Sequence, residues 1–270
     1  MGLSVPTLRD PADTVYIMDE RHGSPEKPSH EEARHSWPGL YRSAGFAAIL
    51  FVLLLISALV IDFIAPPPVH GGAETLEFIA ANKTLYIAEQ LLWILPSVLP
   101  VVVFVALYVA LAPLSRSWAL LATVVGGLPW ALLLAVPVSS RGSLSLVYLS
   151  DMYTTAGSDG KRAVFATAAE AIIAENNTPA IAGLLSPVGI FLISLVMLKG
   201  VLPRAVAWLG LLTGTLGLFS EALRFVAPGF YWGYGVLLWV WFIAVGVSLI
   251  RLHPEGPERT GGGGVREDSN

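Results

Sequence analysis

Leu202-Pro-Arg-Ala-Val-Ala-Trp-Leu-Gly-Leu-Leu-Thr-Gly-Thr-Leu-Gly-Leu-Phe-Ser-Glu-Ala-Leu-Arg-Phe225 has an apolar body long enough to cross a bilayer as a helix. Within it Ala207, Gly210, Gly214, Gly217, Glu221 and Arg224 recur every three or four residues, so they share one face. Lipid tails give apolar helices no reason to associate, and membrane helices pack instead through small residues that let backbones approach. The Gly210/Gly214 pair has that spacing, continued by Gly217. This helix is therefore expected inside a bundle, with Glu221 turned to its neighbours and Leu209, Leu212, Leu216 and Leu223 mostly towards lipid.

The rest of the chain agrees. Of its 270 residues 54% are hydrophobic and 13% charged, against about 25% charged in soluble domains, and the mean hydropathy is +0.67. A net charge of -4 with scattered acidic residues offers no basic surface for nucleic acid. With no cysteine there is no disulfide, thiolate metal site or cysteine nucleophile. The first apolar run begins after about forty polar residues, too deep for a cleaved signal, so it is expected to stay as an anchor.

Taken in order, residues 1–40 mix prolines and acids without an apolar period and read as a disordered tail. Residues 41–252 read as an all-α, polytopic transmembrane bundle of six membrane-spanning helices: about Ala44 to Ile64, Leu85 to Leu111, Trp118 to Val138, Ile181 to Leu198, the stretch quoted above, and Phe230 to Ile250. Pro66-Pro67-Pro68 ends the first span, and a short loop with Gly71, Gly72, Glu74 and Glu77 follows. Pro96 and Pro100 predict a bend in the second span. The segment 139–179 is too polar to cross and longer than a connection requires. Within it Ala163 to Glu175 predicts a short amphipathic helix, with Phe165, Ile172 and Ile173 free to lie on a membrane or on the bundle. Phe230, Tyr231, Trp232 and Tyr234 suit an interfacial belt. Residues 253–270 read as a second disordered tail.

Basic residues orient such a chain, because Lys and Arg stay on the cytoplasmic side. With the amino terminus inside, Arg9, Arg21, Lys27, Arg34, Arg42, Arg116, Lys199, Arg204, Arg251, Arg259 and Arg266 lie on the inner side, while Lys83, Arg141, Lys161, Arg162 and Arg224 lie outside, an asymmetry better than two to one. Both termini are thus expected in the cytoplasm, and the cell membrane of a bacterium is the expected setting.

The ionisable residues near the spans then gather in the outer half. Asp62 ends the first helix, Glu89 and Gln90 open the second, Glu221 and Arg224 end the fifth, Ser139, Ser140 and Arg141 close the third, and Ser186-Pro187 interrupts the fourth. On the second helix Glu89, Trp93, Ser97 and Pro100 fall on one face. A carboxylate at mid-membrane costs about 2.5–3.5 kcal/mol on insertion scales, so it faces protein or water. Glu89, Gln90, Trp93, Ser97, Glu221, Arg224 and Asp62 are therefore the candidate lining of an outward cavity for a small ligand, cation or lipid headgroup. A purely structural reading competes: Glu221 pairs with Arg224 one turn away, and Glu89 bonds Gln90 or the backbone, each tying helices together.

Other patterns fail on spacing. His30-Glu31-Glu32-Ala33-Arg34-His35 sets its histidines five apart, whereas a zincin helix needs four, and His22, His70 and His253 lie outside the spans. Neither a haem nor a histidine metal site is expected in the bundle, and no cofactor is implied. The sequence offers no Gly-x-Ser-x-Gly or membrane Ser/His pairing for a serine hydrolase.

Two turns repeat a pattern: Pro113, Arg116, Trp118, Leu121 and Gly126 before and within the third span, and Pro203, Arg204, Trp208, Leu211 and Gly214 in the fifth. Through Leu107-Tyr-Val-Ala-Leu-Ala-Pro-Leu-Ser-Arg-Ser-Trp-Ala-Leu-Leu121 and Gly200-Val-Leu-Pro-Arg-Ala-Val-Ala-Trp-Leu-Gly210, the chain resembles a bacterial six-span membrane family catalogued as domain of unknown function 4386. The resemblance covers about Arg42 to Leu252 and implies the six-span architecture, with no activity or site residues to carry over. The expected role is a non-enzymatic membrane component that binds or senses something at its outer face, or packs on a homo- or hetero-oligomeric partner through the glycine face. A small secondary transporter using Glu89 and Glu221 is the first alternative and an intramembrane enzyme the second.

Overall fold

The computed structural model describes residues 37–252, save 69, 136–137, 140–141, 179–180 and 228. The segments read as disordered tails lie outside these residues, except that the first helix already begins at Pro38, as do His30–His35, Ser140 and Arg141. Proline suits a first helical turn, where its missing N–H has no partner to lose.

Six helices are long and apolar enough to cross a membrane. The first is α1 (Pro38–Ile64), which stops just before the triple proline. After α2 (Gly72–Ala81), the second span comprises α3 (Lys83–Ile94), a 3₁₀ turn (Leu95–Ser97) and α4 (Val98–Leu111), so the expected irregularity at the prolines takes the form of a 3₁₀ turn. The third is α5 (Arg116–Ala135). A two-residue hairpin, β1 (Val138–Ser139) and β2 (Gly142–Ser143), leads into α6 (Ser145–Thr154) and α7 (Asp159–Asn176). The spans resume with α8 (Ile181–Met197), α9 (Arg204–Ala222) and α10 (Gly229–Arg251).

The spans form a closed ring in which α1 packs on α4, α4 on α5, α5 on α8, α8 on α9, α9 on α10, and α10 on α1. Small residues set several of these crossings. A Cβ on Gly45 would lie 2.7 Å from the Gly246 carbonyl oxygen, and one on Gly246 2.8 Å from that of Gly45, so α1 and α10 touch backbone to backbone. Inside the ring the middle is filled by rings from three helices: Phe51 lies 4.8 Å from Phe242 and 5.2 Å from Trp130, and Trp241 5.1 Å from Phe242, between centroids. Edge-on aromatic pairs add about 0.5–1.5 kcal/mol each beyond the area they bury.

The loops at one end depart from the sequence reading. Residues 72–81, expected in a loop, are helical, and the segment 139–179 supplies two helices and the hairpin rather than one short helix. The reason is a second small core: Leu76, Ile79, Tyr86, Leu146 and Ala169 bury one another, with Phe165 and Ile172 against them. Here burial in water drives association, at about 1.5–3 kcal/mol per large apolar side chain. The amphipathic segment therefore folds onto α2 and α6, forming a cap over one end of the ring. Lys83 Nζ binds both Asp151 carboxylate oxygens at 2.7 Å, tying α3 to α6.

The face of α9 that opened the sequence reading is buried: Ala207, Gly210, Gly214, Gly217 and Glu221 all point inward, while Leu212 is exposed and Leu209, Leu216 and Leu223 are half-buried. Its neighbours are α8 and α10 of the same chain: Gly214 fits against Phe191 and Pro187, and Gly217 against Pro187 and Tyr234. The glycine face is thus filled from within, because α8 supplies the bulk that the glycines leave out.

Candidate functional site

All three buried carboxylates of the spans, Asp62, Glu89 and Glu221, sit at the capped end. They fall into two groups.

The first is built on α3. Glu89 is 1% exposed and Gln90 fully buried. A carboxylate taken from water needs hydrogen bonds in place of those it loses, and the Trp93 indole one turn below donates to Glu89 Oε1 at 3.2 Å. Tyr86, one turn above, reaches the hairpin: its hydroxyl donates to the Ser143 carbonyl at 3.2 Å and accepts from the Ser143 N–H at 3.1 Å. Gly142 lets the hairpin come this close, since a Cβ there would be 3.1 Å from Gln90 Nε2 and would strike the Tyr86 hydroxyl. Asp62, 8% exposed, lies near the end of α1, which packs along α3. Ser97 ends the polar face in the 3₁₀ turn, which packs on α1 and α5. Pro96 has no N–H, so the helix loses a bond there and tightens into the 3₁₀ turn. At 1.5 Å per residue, Glu89 and Ser97 are about 12 Å apart along the helix. One small ion cannot touch both; they are separate stations of one column, with Trp93 between them.

The second group is a clasp at the end of α9. Arg224 Nη1 lies 3.2 Å from Glu221 Oε1, its Nη2 donates to the Asn176 carbonyl at 2.9 Å, and its guanidinium stands 5.1 Å from the Tyr231 ring centroid. It thereby joins α7, α9 and α10. Gly183 of α8 makes room for the carboxylate, because a Cβ there would lie 2.7 Å from Glu221 Cδ. The ion pair anticipated between Glu221 and Arg224 is present, and Glu89 accepts a hydrogen bond from Trp93. The contact described for Glu89 comes from α3, and those for Glu221 from Arg224 at the end of α9 and from Gly183 of α8.

Of the outer aromatic residues, Phe230 and Trp232 are exposed as a belt requires, whereas Tyr234 turns inward against Gly217 and Tyr231 faces Arg224. Ser186 is buried and donates to the Ala182 carbonyl at 3.0 Å, and α8 runs through Pro187 without ending. Ser139 pairs with Gly142 across the hairpin. Sequence reasoning missed Tyr86, Gly142, Asn176 and Gly183, which matter through partners distant in the chain; only Tyr86 carried a local signal, one turn from Glu89 on the same helix.

Neither a curated protein nor a solved structure matches the chain. The family described as Domain of unknown function (DUF4386) matches residues 46–251, which takes in every span from the first turns of α1 to the end of α10. With its six apolar helices and this match over most of its length, the chain is a multi-pass membrane protein that belongs to the DUF4386 family.

Proposed function

We propose that this protein is a non-enzymatic component of a bacterial cell membrane, oriented with both termini in the cytoplasm, that binds or senses a small ligand or lipid headgroup at its outer, capped end. The observation that carries the reading is the polar column on the second span, where Glu89, Gln90, Trp93 and Ser97 line one helix from beneath the cap to the 3₁₀ turn. A purely structural tie between helices needs one hydrogen-bonded carboxylate, not a row of polar groups running down to a 3₁₀ turn. Transport is the weaker alternative, because an inner route would have to pass the packed rings of Phe51, Trp130, Trp241 and Phe242. The distribution of Lys and Arg supports the orientation.

The test is thermal unfolding of purified wild type and Glu89→Gln across alkali cations, simple amines and soluble lipid-headgroup analogues. Binding to the folded state raises its stability by mass action. At least one compound class is expected to shift the wild type and not the variant; equal responses of the two proteins to every compound would overturn the proposal.

A further inference from the structure

Among the described residues the five most exposed large apolar side chains are Phe63, Ile64, Ile181, Phe225 and Val226, at 70–82%. All five stand where a span meets the cap: at the end of α1, at the start of α8, and in the turn between α9 and α10. The Arg224 bond to the Asn176 carbonyl holds the last two of these places at one level. Apolar side chains this open, repeated around one end of the ring, form a collar for lipid, and they put the hydrocarbon boundary of that leaflet just beneath the cap. At the opposite end Trp118 of α5 and Trp208 of α9 are 55% and 64% exposed, close to Arg116 and Arg204, and Lys199 lies just past α8. Tryptophan settles at the headgroup level, so these residues mark the other boundary.

Between the two boundaries one side of the bundle is short. Helix α8 has 17 residues and α9 has 19, which at 1.5 Å per residue reach about 24 and 27 Å. The residues that could lengthen α8 towards the cap, Asn176, Asn177 and Thr178, are polar. An ordinary hydrocarbon core is about 30 Å thick, and any tilt only shortens the reach. Helix α1, with 27 residues, can lean to suit a thinner bilayer, whereas a short helix cannot lengthen. We infer that this protein is matched to a thin bilayer, with a hydrocarbon core of about 25 Å, held against α8 and α9 between the collar and the two tryptophans. The partner is therefore phospholipid with short acyl chains. This surface is separate from the polar column on the second span, and the inference stands whatever that column binds and whichever leaflet the cap faces.

The full chain, reconstituted in phosphatidylcholines of stepwise longer monounsaturated acyl chains, tests the match through quenching of its tryptophan fluorescence by brominated forms of each lipid. Trp118 and Trp208 face lipid, so competition between lipids gives relative affinities at this surface. Affinity should peak at chains of sixteen carbons or fewer and fall about twofold or more by twenty-two; a later peak, or a smaller fall, would overturn the inference. The boundary has its own measurement. Because the chain has no cysteine, a nitroxide can be carried on Ile181→Cys, Val226→Cys or Val164→Cys alone. Labels at 181 and 226 should collide with oxygen in preference to a water-soluble nickel chelate, and the label at 164, on the exposed side of α7 in the cap, should do the reverse. A collar label as open to the chelate as the one at 164 would equally sink the idea.

Discussion

Gly126 and Gly189 meet backbone to backbone where α5 crosses α8, so closely that a Cβ on Gly189 would overlap the Gly126 Cα. The atoms in the way belong to main chain and cannot swing aside. Gly189→Ala should therefore separate the two helices and destabilise the bundle by about 1–3 kcal/mol or more, the range for overpacked cores. Gly235→Ala is the control: nothing lies within 4 Å of its added Cβ, and removing a helical glycine should stabilise by about 0.5–1 kcal/mol. Unfolding midpoints of both variants in one detergent check the pair of signs.

Removing the Arg224 side chain as Arg224→Met takes a close cation from a carboxylate that is 2% exposed, and breaks the bond to the Asn176 carbonyl. Hydrogen bonds to charged groups contribute about 1.5–3 kcal/mol, and a loss of that order is expected. Glu221→Gln should cost less, since the guanidinium left behind is the more exposed partner and keeps the Asn176 carbonyl and the Tyr231 ring. In a double-mutant cycle the pair should couple; strict additivity would mean that the ion pair contributes nothing.

The Tyr86 hydroxyl satisfies both the N–H and the C=O of Ser143. Tyr86→Phe leaves the ring in the cap core and orphans the two backbone groups, for an expected loss of about 1–3 kcal/mol. Hydrogen exchange localises the effect: amide protection should fall at residues 142–143 before it falls in α8 or α9.

The Tyr153 phenol in the cap donates to Glu77 at 3.1 Å, and that bond chiefly holds its pKa above the ordinary value of 10.0. A folded-state pKa that is raised contributes stability below the unfolded value, and the contribution disappears as pH climbs through the raised one. The α2–α6 contact should thus be intact at neutral pH and weaken only in alkali. In difference titrations against Tyr153→Phe, the tyrosinate absorbance of this residue should develop later than that of a free phenol. Glu77→Gln should bring it back towards the ordinary value.

Sequence alone determined the six spans, the irregularity at Pro96, the inward face of α9 and the pairing of Glu221 with Arg224. Each of these is written in residues at most a few turns apart: apolar length, a missing N–H, a three-to-four-residue recurrence, an i,i+3 charge pair. Tertiary structure alone decided that residues 72–81 and 145–176 join into a cap, because each segment is only weakly amphipathic and becomes helical by burying itself on the others. It also decided that the glycines of α9 pack on α8 and α10, and that Gly126 meets Gly189 and Gly45 meets Gly246. A small residue records that something comes close but not what, since the complementary surface lies on a helix elsewhere in the chain; only the ring order of the spans supplies it.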